Sequence, residues 1–334
     1  MATLATTNPT LADVAKRLDP NGQVDKIVEI LNETNPILED MSFIEGNLPT
    51  GHRTTIRTGL PMPTWRKLYG GVQPTKSTTV QVTDNTGMLE AYAEVDKALA
   101  DLNGNTAAFR LSEDRAHIEG MNQEMAETLF YGNEGTEPAA FTGIAPRFNS
   151  TTADNKDNVI LGGSASGQTD NTSIYLVVWG PNTVHGIYPK GSKAGLSMND
   201  KGQVTADAPG GGYFEAYRTH YRWDAGLTVR DWRYIVRVAN IDVSELSHST
   251  NGEAARKALI RLMIQATERI PNLGMGRAAF YCNRTIRTNL RLGILDKISN
   301  NLAWESVAGK RVMVFDDIPV RTCDAIINSE ARVA

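Results

Sequence analysis

Gly59-Leu60-Pro61-Met62-Pro63-Thr64-Trp65-Arg66-Lys67-Leu68-Tyr69-Gly70-Gly71 lies between two threonine-rich runs. The flanks, His52 to Thr58 and Ser77 to Thr83, insert Ile or Val among threonines, which is the β-branched composition of strands. Neither flank carries enough large apolar side chains to cover a core, and an isolated two-stranded hairpin is marginal in water. A loop tip in solvent is normally polar. A local cluster under the loop is one reading of this tip. A protruding hairpin that grips another subunit accounts better for Trp65, Arg66, Leu68 and Tyr69 together.

Upstream, the first forty residues read as an arm. Leu11, Val14, Ala15 and Leu18 recur at helical spacing behind Thr10, and Val24, Ile27, Val28 and Leu31 repeat the pattern after Asp19-Pro20. Each helix would be shorter than the ~12–15 residues at which isolated helices become even marginal, so both must dock on something. That surface is either their own domain or a neighbouring copy. Val24, Ile27 and Leu31 are therefore candidate contact residues alongside the tip.

Downstream, Gly87 to Leu102 suggests a returning strand and a helical turn. Ser112 then caps a helix with Glu113 and Asp114 in its first turn and Leu129-Phe130 before Gly132. Ile118, Met121, Met125 and Leu129 form its apolar stripe, and it would span about 30 Å. Asn149 to Asn171 reads as a polar loop or hairpin linker, Ile174 to Trp179 as a buried strand, and Lys190 to Gly212 as a second polar excursion. Tyr217 to Ile241 alternates as long strands with Trp232, Tyr234, Val236 and Val238 on one face. A helix bearing Ala255, Leu259, Leu262, Ala266 and Ile270 ends at Pro271. A strand (Ala278 to Cys282), a helix (Arg284 to Ile294) and two strands about Asp316-Asp317 complete the pattern. Segregated elements without regular βαβ alternation indicate an α+β fold.

Composition narrows the function. In 334 residues, 41% are hydrophobic and 22% charged, with a formal net charge of -4, which argues against a surface built to hold phosphate. Cys282 and Cys323 lack metal-type spacing and read as small buried hydrophobes. No basic segment leads into an apolar run near Met1, and no stretch of ~18 apolar residues exists, so neither a signal peptide nor a membrane span is expected. His52, His117, His185, His220 and His248 are scattered, without an HExxH motif. Gly162-Gly163-Ser164-Ala165-Ser166-Gly167 lacks the GK[ST] of a phosphate loop, and Ala165 replaces the nucleophile of GxSxG. Hence no catalytic residue, cofactor or metal site is expected, and the chain is not expected to be an enzyme. Arg218, Arg222, Arg230, Arg233 and Arg237 interleave with Tyr217, Tyr221, Trp223, Trp232 and Tyr234 as a single-strand-binding sheet might. Asp224, Asp231 and Asp242 dilute that pattern. Aromatics turned inward, with arginines outward bridging to neighbouring subunits, explain it more simply.

Phe109-Arg110-Leu111-Ser112-Glu113-Asp114-Arg115, Leu129-Phe130-Tyr131-Gly132-Asn133, Phe141-Thr142-Gly143-Ile144, Tyr188-Pro189-Lys190-Gly191-Ser192, Asp231-Trp232-Arg233-Tyr234 and Ile318-Pro319-Val320-Arg321 follow one another along the chain. In this order the chain resembles the major capsid proteins of tailed bacteriophages, particularly short-tailed ones. The resemblance implies an N-terminal arm (1–45), an E-loop hairpin (46–94), a P-domain (95–171 and 307–334) with a spine helix at 112–131, and an A-domain (172–306). It further implies self-assembly into hexameric and pentameric capsomers of an icosahedral head, built in the host cytoplasm, that encloses double-stranded DNA without reading its sequence. Scaffolding and portal proteins, and a cement or decoration protein, are the implied partners, and no membrane is. A bacterial encapsulin shell is the alternative, disfavoured by the long threonine-rich hairpin and the paired arm helices; a nucleic-acid-binding protein is a more distant one. Some such capsids weld an E-loop lysine to a neighbour's asparagine. Lys67 and Lys76 are the hairpin's lysines, but no sequence word around Asn283, Asn300 or Asn328 marks an acceptor, so non-covalent locking is expected.

Overall fold

Ile174-Tyr175-Leu176-Val177-Val178-Trp179 forms the inner part of strand β5 (Asn171–Trp179), and every residue of that strand is buried. A strand covered on both faces needs apolar side chains on both, so the run is continuous rather than alternating. The computed structural model describes residues 9, 33–104, 106–165, 167–208, 211–247, 252–295, 302–307 and 310–333. The expected arm helices at 11–18 and 24–31 therefore lie outside the described residues. Around β5 the other strands are β1 (Phe43–Glu45), β2 (Gly51–Gly59), β3 (Thr78–Asp96), β4 (Val159–Leu161), β6 (Val184–Tyr188), β7 (Ser197–Asp207), β8 (Tyr213–Val229), β9 (Ile235–Asp242), β10 (Arg277–Cys282), β11 (Leu302–Val307), β12 (Lys310–Phe315) and β13 (Ile318–Thr322). The described strands join in one 13-stranded sheet whose main path is β11-β12-β13-β10-β5-β6-β8-β3-β2. Its longer helices are α1 (Thr106–Tyr131), α2 (Gly252–Arg269) and α3 (Arg284–Leu295).

The main core fills the space around β5, β9 and β10. Phe130, Tyr175, Phe280, Phe315, Met263 and Ile286 are among its fully covered side chains. Helix α2 buries Leu259, Ile260, Met263 and Ala266, close to the expected stripe, and its hydrogen-bonded span stops before Pro271. At the β12–β13 turn, Asp316 and Asp317 both adopt left-handed backbone (φ 47° and 63°), the geometry that matches a tight hairpin's twist.

Four expectations about secondary structure need correction. Helix α1 begins at Thr106 rather than Ser112. Phe109 is buried against Val95, Ala100, Leu99 and Tyr217, and covering it continues the helix upstream of a favourable cap residue. The polar stretch 190–212 contains β7, which pairs with β8 from Ser197↔Arg222 to Asp207↔Tyr213. Backbone pairing stabilises it without an apolar face. The linker at 149–171 likewise contains β4, paired in parallel with β9. Trp232 and Tyr234 sit in a short 3-10 turn capped by the Asp231 side chain, not on a strand face with Val236 and Val238.

Strands β3 and β8 run antiparallel from Thr86↔Gly226 to Asp96↔Ala216 and lay one face on α1. Leu89, Ala93 and Val95, with Tyr217, Tyr221 and Trp223, pack there around Phe109 and Met121. On the opposite face Tyr92 stacks on His220 with 4.5 Å between ring centres. Beside it Arg218 Nε donates to Glu94 at 2.7 Å and Arg222 Nε to Asp224 at 2.9 Å. Three of the expected outward arginines thus have in-chain carboxylate partners, Arg233 being held by Asp231 at 2.7 Å, while Arg230 donates to the Pro181 carbonyl at 2.9 Å.

Arg237 does not point outward at all. It is buried with Glu330 at 2.8 Å, each side chain 4% exposed. Its guanidinium also donates to Ser173 Oγ and to the carbonyls of Ala145 and Phe148. Glu330 in turn accepts from the hydroxyls of Tyr131, Ser173 and Tyr175. Burial above all raises both of those phenols well beyond their ordinary range, so they remain hydrogen-bond donors. Residues 323–333 are strapped to the core by this network and by paired bonds between Asn240 and the Val333 backbone, both 2.8 Å.

Candidate assembly interface

The threonine-rich flanks do form a hairpin. β2 and β3 pair antiparallel from Gly51↔Asn85 to Gly59↔Thr78, with an irregularity between Arg57 and Gly59. Gly51 is required at the base, because a Cβ there would lie 2.2 Å from the Asp84 carbonyl oxygen. Among the described residues, side-chain bonds tie the hairpin to the body near its root. Arg147 reaches Asp84 at 2.7 Å and the Leu227 carbonyl at 3.2 Å, while Asn85 donates to Glu134 at 3.0 Å. Asn47 clamps the edge of β2, donating to the Arg53 carbonyl (2.8 Å) and accepting its N–H (2.7 Å). Beyond Thr54 the side chains of β2 are exposed or half-exposed.

The tip beyond this stalk joins no hydrophobic cluster among the described residues. Trp65 and Tyr69 are fully exposed, and Leu60, Met62 and Leu68 are more than 70% exposed. A turn closed by Gly70 N–H donating to the Lys67 carbonyl (3.0 Å) leads Tyr69 into left-handed backbone (φ 62°). Four of the expected contact residues, Trp65, Arg66, Leu68 and Tyr69, thus lie together at one end of the molecule, and all four are exposed. The other three, Val24, Ile27 and Leu31, lie outside the described residues. A concentrated, solvent-facing apolar tip is a candidate docking surface.

Other chemistry is sparse. Among the described residues no three His, Cys, Asp or Glu side chains could jointly hold a metal ion, and no helix is long and apolar enough to cross a membrane. Cys282 and Cys323 are buried, and burial pushes the Cys282 thiol up to about 12, well away from reactive thiolate. Arg284, one of the arginines on α3, is held bidentately by Asp324 at 2.6 and 2.7 Å. Such internal pairing weighs against a phosphate-binding surface. Asn283 is no free acceptor either: it caps α3 through Ile286 N–H and bonds Thr172 and Asn328.

Comparison with curated proteins finds no match. The family model for Major capsid protein GP7 matches residues 19–334. A chain in the near-atomic-resolution structure of Bacteriophage Epsilon15 is similar at 37% identity and a TM-score of 0.79, with 100% of this chain and 99% of that one covered. The Bacteriophage JBD30 capsid is similar at 9% identity and TM-score 0.48, covering 89% of this chain and 93% of that one. The capsid of the native GTA particle is similar at 10% identity and TM-score 0.43, covering 70% and 99%. The family match and the full-length similarity to the Bacteriophage Epsilon15 chain favour a phage capsid over an encapsulin shell. On the family match and the full-length 37% similarity together, the chain belongs to the Major capsid protein GP7 family, the structural proteins of phage heads.

Proposed function

We propose that this protein assembles through its hairpin into hexameric and pentameric capsomers of an icosahedral head that encloses double-stranded DNA. The observation that carries the reading is the tip: Trp65 and Tyr69 fully exposed at the end of a stalk anchored near its root. In the assembled shell the tip packs on a neighbour's P-domain (95–171 and 307–334), and the A-domain (172–306) meets its copies at the capsomer centre. Each contact is modest, but a subunit makes several at once and later ones form intramolecularly, so the shell is effectively permanent. Assembly takes place in the host cytoplasm with a scaffolding protein and around a portal, and cement protein can reinforce the product. DNA is enclosed without sequence-specific contacts.

The test is Trp65→Ala. A buried interface aromatic contributes ~2 kcal/mol or more, and every subunit in the shell loses it. Particle yield, measured by sedimentation and negative-stain imaging with scaffold present, should collapse while circular dichroism and thermal melting of the subunit stay unchanged. A large loss of subunit stability would show instead that the tip packs on its own core.

A further inference from the structure

Five buried polar atoms at the root of the hairpin have no hydrogen-bond partner among the described residues. They are His52 Nδ1 and Thr54 Oγ1 on β2, Asp84 Oδ2 on β3, His185 Nδ1 on β6 and Thr228 Oγ1 on β8. Register places them at one seam. His52 is directly opposite Asp84, His185 is directly opposite Thr228, and the two imidazoles meet edge-on with 5.9 Å between ring centres. Thr54, Asp84, His185 and Thr228 are all more than nine-tenths buried, and His52 is half-buried. One unpaired buried polar atom is a common accident; five contributed by four strands to one joint are not. Their chemistry is mixed. The threonine hydroxyls donate and accept, Asp84 Oδ2 accepts, and each neutral imidazole offers a lone pair or an N–H. Water, with two donors and two acceptors, suits such a set.

We propose that the hairpin root is an internal water-binding site that acts as an acid-operated hinge, in which bridging water joins the hairpin to β6 and β8 and proton uptake by His52 and His185 breaks the joint. The inference rests on the hairpin being the inter-subunit contact, and it supplies what that contact needs, a stalk whose angle can differ between six-fold and five-fold positions. The groups facing the histidines are Asp84 on β3, with Arg147 on its other oxygen, and Arg230 just beyond β8. Desolvation, followed by Arg230, keeps His52 below its ordinary value, with Asp84 opposing. Desolvation, then His52 and Arg230, lowers His185 to about 4, against a backbone hydrogen bond to Gly180. Both rings are therefore neutral and water-bridged near neutral pH. A proton on either turns an acceptor into a donor and sets charge beside Arg230.

Amide exchange of the full chain tests this between about pH 7 and about pH 4.5, corrected for intrinsic rates, with α1 as internal control. Exchange across 51–59 and 78–86 should accelerate about tenfold relative to α1 on acidification, and His52→Gln with His185→Gln should abolish the change. If the double variant already exchanges faster in α1 at neutral pH, the half-buried His52→Gln alone decides, and it should reduce the acceleration. A map of the shell that resolves ordered water should show it between Thr54, Asp84, His185 and Thr228. Acceleration equal in α1 and the root, an unchanged response in the variants, or Thr54 and Thr228 bonded directly to these partners would each overturn the hinge. Those results with Trp65→Ala still blocking assembly would leave the docking reading standing.

Discussion

Glu330→Ala should be among the most damaging single substitutions in the core. It leaves the Arg237 guanidinium at 4% exposure without its carboxylate, and it removes the acceptor of the Tyr131, Ser173 and Tyr175 hydroxyls. Breaking a buried pair by deleting one partner costs ~3–5 kcal/mol, because an uncompensated charge stays buried. Arg237 would keep Ser173 Oγ and the Ala145 and Phe148 carbonyls at 3.0 to 3.1 Å, which places the cost near the lower end, about 3 kcal/mol. Arg237→Met combined with Glu330→Leu removes both charges together. It should recover at least about 1 kcal/mol relative to Glu330→Ala, even though the hydroxyls and carbonyls remain unpaired. Urea unfolding of the subunit followed by tryptophan fluorescence measures both, as shifts in midpoint at constant slope. A Glu330→Ala midpoint within about 1 kcal/mol of wild type, or a double variant worse than the single, would refute the assignment of this network as the clamp on residues 323–333.

Non-covalent locking of the shell predicts that mature particles boiled in detergent return one band near 36.5 kDa; a ladder that survives reductant would contradict it. Gly143→Ala should cost ~2 kcal/mol or more by thermal melting, because its Cβ would lie 2.5 Å from the Thr128 carbonyl oxygen and 2.7 Å from that of Leu129. Gly120→Ala on α1 meets nothing within 4 Å and should instead stabilise by about 0.5–1 kcal/mol. Stability should fall with acid through His185, whose folded value of about 4 lies below its unfolded 6.5. The unfolded chain takes up a proton that the folded one refuses, so this contribution is complete above pH 6.5 and is lost as pH drops toward 4. The loss is at most ~3 kcal/mol, and His185→Gln should remove that part of the slope.

What the sequence determined by itself were the elements whose own pattern carries their energetics. The continuous apolar run of β5, the stripe of α2 ending at Pro271, and the tight Asp316-Asp317 turn were all legible, because period and turn chemistry are local properties. So was the hairpin with Trp65, Arg66, Leu68 and Tyr69 at its tip, since an apolar cluster between two strands too poor in apolar residues to form a core can be recognised without coordinates. Tertiary structure alone decided the rest. β7 is a strand because β8 offers it a backbone ladder, and nothing in Ser197 to Asp207 signals that partner. Helix α1 starts at Thr106 because Phe109 finds cover against Tyr217, a contact across more than one hundred positions that outweighs the capping preference of Ser112. Arg237 looked like one more outward arginine until Glu330, 93 positions away, arrived beside it. The seam of His52, Thr54, Asp84, His185 and Thr228 is drawn from four strands. Burial and pairing across such separations depend on where the chain returns, and no local pattern encodes that.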